Sequence, residues 1–439
     1  MKSGDADYIG ALMRPDAVHR AVYVDPDVFA LEQERIFRRA WLYVGHESEI
    51  PGVGDYVLTQ LGPEEVILLR QPEGGIAALH NRCAHRGARV LVAPRGTLKL
   101  LTCAYHAWSF GLDGALDSVP MPEGYQERQS KKLSLPGLAR VPRVESYRGF
   151  VFASHAAAGP GLVEFLGGLA GILDNMVDRA PGGRLTAAGG RLRMAFNGNW
   201  KLFMENAVDL VHPGFVHGGS VAVARKSPHT ADAPDMAGQA TQMLLANGLR
   251  LAEWDRVGLR GFPQGHVYMD GFYRDGVIAP ERSDPVFDRY RAALVECHGE
   301  DKTRAILAVD RFNNLIWPAL SVNSRFQTLR IVQPVAVDRT IVTSCCFRLE
   351  GAPPEMFELS LRFLNVASSP ASLVASDDLE IFERCQHGLQ DSAADWIVLG
   401  RGMHQDSVAA DGSITAPGTS ELPIRNQMHA WRAHMMAAA

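Results

Sequence analysis

Four residues in the first third of the chain carry ligand chemistry at a specific spacing: Cys83-Ala84-His85 and Cys103-Ala104-Tyr105-His106. Each half offers one thiolate and one imidazole from a short loop. Two such mixed pairs suit a Rieske-type [2Fe–2S] centre, with Cys83 and Cys103 on one iron and His85 and His106 on the other. Exchanging two thiolates for neutral imidazoles makes such a cluster less negative and raises its potential. A Cys2His2 zinc site would staple the same loops, although zinc loops more often pair Cys with Cys and His with His. A second group lies between Asn199 and His217. There His212 and His217 flank Pro213, which disfavours helix at the residue before it and removes a backbone donor. A break at Pro213 would let both rings meet on one metal. Two imidazoles and one carboxylate form the facial set that holds non-haem Fe(II) with positions left open.

Those side chains need elements to aim them. After the turn signal Asn197-Gly198 the chain from Trp200 reads as a helix, and Glu205, Asp209 and His212 recur at i, i+4 and i+7, which stacks them on one face. Asp209, one turn from His212, suits a carboxylate that fixes the tautomer of a ligand imidazole rather than a ligand itself. Asn206 lies on the same helix and either lines the iron pocket or satisfies buried backbone groups. The third ligand has to come from another element. Ser376 to Leu389 reads as a helix with Ser376 as N-cap, and it carries the adjacent acids Asp377 and Asp378. Asp378 shares a stripe with Phe382, Cys385 and Leu389, the inward side, whereas Asp377 lines up with Ile381, Arg384 and Gly388. Asp378 is therefore the expected ligand, although both acids would also suit the positive end of a helix. Gln327 to Val337 and Thr340 to Leu349 alternate like paired strands joined by Asp338-Arg339, and Arg330 sits on the first of them.

At 439 residues the chain can hold two domains with a sizeable core. A net charge of −5 without a long Lys/Arg run argues against nucleic acid. No stretch has the length and apolarity of a membrane span, and the first residues lack an apolar signal core, so the expected location is the cytoplasm. Six cysteines in so long a chain make no disulfide framework. Cys297, Cys345, Cys346 and Cys385 read as buried thiols. His46, His80, His229 and His404 lack partners at metal spacing, with His229 the reserve candidate. No Gly-x-Gly-x-x-Gly dinucleotide fingerprint is found, so NAD(P)H would be oxidised by a separate reductase. Along the chain, an N-terminal arm and a helix from about Asp27 to Ala40 occupy residues 1–40. Strand-and-turn texture follows over 41–155, including a hairpin around Glu73-Gly74-Gly75. The small-residue stretch Ala156 to Gly161 reads as a linker. A larger domain spans 160–439, opening with a helix over Leu162 to Val177 and a strand over Arg191 to Phe196.

Taken together, Cys83/His85/Cys103/His106, the Asn199-Trp200-Lys201 opening, Glu205-Asn206-x-x-Asp209-x-x-His212-x4-His217, Asp377-Asp378 and the closing Arg425 to Met435 segment give the chain a family likeness. It resembles the large (alpha) subunit of Rieske non-haem iron aromatic-ring-hydroxylating oxygenases, in the branch acting on aromatic carboxylates such as benzoate, salicylate or terephthalate. Ala104 and Ala107 depart from the more usual Pro and Gly of the second cluster loop, and Val211 from the common Tyr. The resemblance implies an α+β fold: an antiparallel β Rieske domain plus a helix-grip catalytic domain whose curved sheet encloses the iron pocket. It implies a terminal oxygenase that activates O2 at a mononuclear Fe(II) held by His212, His217 and Asp378, using electrons from the [2Fe–2S] cluster. It also implies that Arg330 meets the substrate carboxylate and that Asp209 bridges to a Rieske histidine, His106, of a neighbouring subunit. The implied partners are O2, an aromatic substrate, a reductase with or without a ferredoxin, and a small beta subunit, on a trimeric alpha core (α3β3 or α3). Dihydroxylation is the expected outcome, with monohydroxylation or demethylation as the alternative. A zinc-bearing ligand-binding protein is the alternative from another class.

Overall fold

The strand-and-turn texture corresponds to one of the two compact units into which the chain divides, Phe37–Leu162. The structure, a computed structural model, describes residues 6–125, 135–227, 241, 244–271, 285–309 and 311–437. His229 lies outside the described residues. In this unit Ile76–His80, Glu64–Arg70, Asp55–Leu61 and Arg95–Thr97 form an antiparallel sheet in that order. The expected hairpin closes through Gln71 N to Gly75 O at 2.8 Å. Alternation sends Ile67, Leu69, Ala77 and Leu79 to one side, where they pack with Val90, Leu101, Trp108 and Phe110 around Cys83 and Cys103. The cysteine loops thus stand on the core of their own unit.

The second unit joins Met1–Ile36 to Val163–Ala439. Its scaffold is a nine-stranded antiparallel sheet. The strands are β1 (Leu185–Phe196), β2 (Gly258–Gly261), β3 (Val267–Asp270), β4 (Asn314–Ile316), β5 (Leu320–Asn323), β6 (Thr328–Ala336), β7 (Arg339–Leu349), β8 (Ser407–Val408) and β9 (Ile414–Pro417). Their spatial order is β1-β7-β6-β5-β4-β3-β2-β9-β8. β1 begins six residues before the expected Arg191, because a bulge between Ala188 and Arg191 interrupts its alternation. Gly189 (φ 74°) and Gly190 (φ 76°) form that bulge. A side chain at Gly189 would also place its Cβ 2.6 Å from Leu361.

Five helices matter for the site: α1 (Trp200–Asn206), α2 (Pro213–Val216), α3 (Pro354–Ser368), α4 (Leu373–Leu389) and α5 (Leu422–Met436). Asn199 starts α1 by accepting from Lys201 N at 3.1 Å, while its amide donates to Tyr23 O and Val337 O. α4 begins earlier than expected. Its N-cap is Ser372, which accepts from Ala375 N at 3.0 Å, and Ser376 instead bonds back to Ser372 O inside the helix. Asp377 and Asp378 therefore lie beyond the first turn, where attraction to the helix N-terminus no longer accounts for them.

In the N-terminal segment, Asp25 caps the helix Pro26–Glu32, and the next five residues form a π turn instead of continuing to Ala40. Glu32 is wholly buried and accepts from Trp200 Nε1 (2.8 Å), Lys201 Nζ (2.6 Å) and Trp431 Nε1 (2.6 Å), tying this segment to α1 and α5. Cys345 and Cys346 are buried, but Cys297 and Cys385 are exposed, contrary to the expectation for these thiols. The inward residues of α4 are Ala375, Phe382 and Gln386, which leaves Cys385 on the outer side. Among the described residues no helix is long and apolar enough to cross a membrane.

Candidate metal centres

The two loops of the first centre follow one hydrogen-bond plan. Gly87 N donates to Cys83 O and Ala107 N to Cys103 O, while Cys83 N donates to Ala88 O and Cys103 N to Trp108 O. The fourth residue after each cysteine is left-handed, Gly87 at φ 74° and Ala107 at φ 55°. Glycine adopts that conformation freely, whereas alanine pays about 1–2 kcal/mol for it. Cys83 and Cys103 are 3% and 2% exposed, and burial, with the neighbouring Cys103 thiol, raises the pKa of Cys83. The rings of His85 and His106 lie 4.7 Å apart, and the Nδ1 atom of each is buried without a hydrogen-bond partner among the described residues. Buried polar atoms are seldom left unpaired, so two orphaned imidazole nitrogens beside two buried thiols fit a group that takes all four. The ligand atoms do not converge on a single ion position as those of the second centre do. One thiol pair and one imidazole pair suit a cluster of two irons better than one zinc. Trp108 stacks on His85 at 4.8 Å and holds that ring in place.

In the second centre the ligand atoms of His212, His217 and Asp378 all lie within 4.8 Å of one another. Asp378 Oδ1 is 3.6 Å from His212 Nε2 and 3.4 Å from His217 Nε2. Both rings turn Nε2 toward the acid, so Nδ1 is the outer atom of each. The outer atoms each meet an acid of their own: Asp209 Oδ2 is 3.5 Å from His212 Nδ1, and Asp377 Oδ2 is 3.5 Å from His217 Nδ1. The Asn206 amide donates to Asp378 Oδ1 at 3.1 Å. Burial raises the pKa of Asp378, and His217 and His212, followed by Asn206 and Arg330, pull it back down. Two imidazoles and one carboxylate facing a common point fit a divalent metal, whose charge would offset that desolvation.

The route by which the chain reaches this geometry differs from the expected single helix face. α1 stops at Asn206, and Asp209 and His212 lie in the turn beyond it. Asp209 Oδ1 accepts from Val211 N at 2.9 Å, the local bond by which an aspartate competes with helix. The chain therefore leaves the helix before Asp209 rather than at Pro213, which instead opens α2. Glu205 does not join the metal set. It turns to Tyr23, whose hydroxyl donates to it at 2.7 Å, and burial pushes its carboxyl up to about 7. Two further residues join the site: Asp377, the alternative acid of the pair, beside His217, and Arg401, which sequence did not single out and whose guanidinium is 3.7 Å from Asp209. Helical spacing had put Asp377 on an exposed stripe, and nothing local signals Arg401. His46 accepts from Ser48 N in a tight turn, and neither it, His80 nor His404 joins a metal set among the described residues.

Arg330 projects from β6 beside the second centre. It donates to Asn313 Oδ1 (3.2 Å) and Ser321 Oγ (2.8 Å), and its Cζ lies 5.5 Å from the centroid of the Phe203 ring. Among the described residues no carboxylate makes an ion pair with it. Burial lowers its pKa to about 10, and Asp378 is the acid that opposes the shift.

The chain matches two family models, a Rieske [2Fe–2S] domain over residues 40–142 and the catalytic domain of ring hydroxylating alpha subunits over residues 184–438. It is 31% identical to the 2-halobenzoate 1,2-dioxygenase large subunit of Burkholderia cepacia, over 87% of this chain and 79% of that protein. It is 33% identical to the anthranilate 1,2-dioxygenase large subunit of Acinetobacter baylyi, over 88% and 80%. A naphthalene 1,2-dioxygenase structure with bound indole shares the fold, with a TM-score of 0.81 and 24% identity over 100% of this chain and 95% of that one. The chain therefore belongs to the ring-hydroxylating oxygenase alpha subunits, iron enzymes that carry a Rieske [2Fe–2S] domain ahead of the catalytic domain and use O2 as oxidant.

Proposed function

We propose that this enzyme hydroxylates an aromatic carboxylate and that Arg330 seats the acid group. The observation that carries the reading is a largely buried cation beside Asp378 with no acid of its own among the described residues. A guanidinium fork matches a carboxylate in shape and charge. Relatives named for 2-halobenzoate, anthranilate and toluate support the same substrate class. Arg330→Leu is expected to weaken anaerobic binding of benzoate to the iron-loaded enzyme about 10- to 100-fold, since charged hydrogen bonds contribute about 1.5–3 kcal/mol. Toluene binding should stay unchanged, and equal benzoate affinity in the variant would remove Arg330 from the site.

When bound, the two groups supply single electrons and an O2-activating ferrous ion. Cys83, Cys103, His85 and His106 would hold the cluster, and His212, His217 and Asp378 the single iron. Asn206 restrains the Asp378 carboxylate, Asp377 holds the outer nitrogen of His217, and Asp209 lies 3.5 Å from that of His212. Dihydroxylation of the ring is the outcome this reading assigns. The remaining partners are a separate reductase, with or without a ferredoxin, and a small beta subunit on a ring of three alpha chains. On this reading Asp209 meets His106 of the partner subunit. Asp209→Ala should keep both centres loaded and slow reoxidation of the reduced cluster in a single turnover. Reoxidation at the normal rate would sink the bridge.

A further inference from the structure

The face of the sheet that bears Arg330 also holds two buried polar groups whose bonding is incomplete. Antiparallel register sets Ser321 and Ser344 directly opposite Arg330, on β5 and β7, so all three side chains share one face. Asn323 follows Ser321 by two residues on β5 and points the same way. Ser344 is 0% and Asn323 4% exposed. Among the described residues the Ser344 hydroxyl and the Asn323 amide nitrogen have no hydrogen-bond partner. The orientation of Asn323 is fixed by its network, because its Oδ1 accepts from Phe326 N at 3.1 Å. That leaves both amide hydrogens to be satisfied. A guanidinium, an amide NH2 and a hydroxyl make a set rich in donors, and its complement is a ligand rich in acceptors.

We propose that Asn323 and Ser344 extend the Arg330 seat, and that the substrate is an aromatic carboxylate with a second acceptor on its ring. Ser344, opposite Arg330, donates to the carboxylate. Asn323, one strand repeat further along, donates to the ring substituent: a nitro group, a hydroxyl or another carboxylate. This rests on the reading of Arg330 as the acid-binding residue. Burying an unpaired donor costs free energy, so an acid lacking the second acceptor binds less well.

The test is anaerobic equilibrium binding of benzoate and of 2-, 3- and 4-nitrobenzoate to the iron-loaded enzyme. The wild type is expected to bind at least one nitrobenzoate about fivefold more tightly than benzoate, as one neutral hydrogen bond allows. Asn323→Leu should bring that acid to the affinity of benzoate and leave benzoate within about twofold, whereas Ser344→Ala should weaken all four acids by about the same several-fold factor. If Asn323→Leu loses stability with its Phe326 contact, Asn323→Ser gives the same reading, because its shorter hydroxyl can keep that contact without reaching the ring. The proposal is overturned if no nitrobenzoate surpasses benzoate in the wild type, or if the Asn323 variant shifts benzoate and nitrobenzoate together. Failure of the underlying reading shows separately, as unchanged benzoate binding in Arg330→Leu.

Discussion

Asp378→Ala is expected to release the mononuclear iron and abolish product formation while the cluster keeps its optical and EPR spectra. Asp378 is the one carboxylate in a set otherwise made of two imidazoles. Removing it takes away a ligand and the charge that balances the metal, and it leaves the Asn206 amide without the carboxylate it holds. Asp377→Ala gives the comparison. Asp377 touches only the outer nitrogen of His217, at 3.5 Å, and losing such a support costs about 10- to 100-fold in metal affinity. Asp378→Ala should exceed that range, so iron content after a chelator challenge ranks the two acids directly. Asp378→Asn keeps the shape and removes the charge, which separates coordination geometry from electrostatics. Full iron retention in Asp378→Ala would assign the carboxylate ligand to another residue. The cluster serves as internal control, since its four candidate ligands belong to the other compact unit.

The candidate ligand sets were legible in the sequence because metal chemistry restricts residue type and spacing more tightly than packing does. Cys83/His85 and Cys103/His106 could be read from two short loops, and the structure gives those loops matching hydrogen bonds. Helical periodicity set Asp378 on the side of Phe382, which is buried, but the rest of the expected stripe did not hold, because the inward residues are Ala375, Phe382 and Gln386 and Cys385 is exposed. The course of the chain from Asp209 to His212 was not legible. A period-3.6 pattern predicts helix, but the bond from Val211 N to the Asp209 side chain overrides it, and a period count does not see such a local competitor. The contact of Asp377 with His217, and Arg401 altogether, were missed for the opposite reason. Their contacts depend on elements distant in sequence, since α4 and the segment around Arg401 come to His217 and Asp209 only through the tertiary fold.

Glu32→Ala is expected to destabilise the unit that carries the iron by about 3–5 kcal/mol, the usual cost of leaving one member of a buried ion pair uncompensated. Glu32 and Lys201 have side chains 0% and 3% exposed, and the same carboxylate accepts from the indoles of Trp200 and Trp431. Its removal strands a buried ammonium and two N–H donors together. The N-terminal segment would then lose its anchor on α1, five residues before Asn206 and the turn to Asp209 and His212. A scan of the iron-loaded enzyme should show the unfolding midpoint falling by roughly 10 °C. Glu32→Gln retains acceptor capacity without the charge and should recover part of the loss. The double variant Glu32→Leu/Lys201→Met should recover more, because an apolar pair of similar volume no longer carries the desolvation of two ions. Charge and shape are thereby separated: if Glu32→Ala and the double variant unfold at the same temperature, the unpaired ammonium contributes nothing. If Glu32→Ala unfolds with the wild type, the segment is held by its apolar contacts alone.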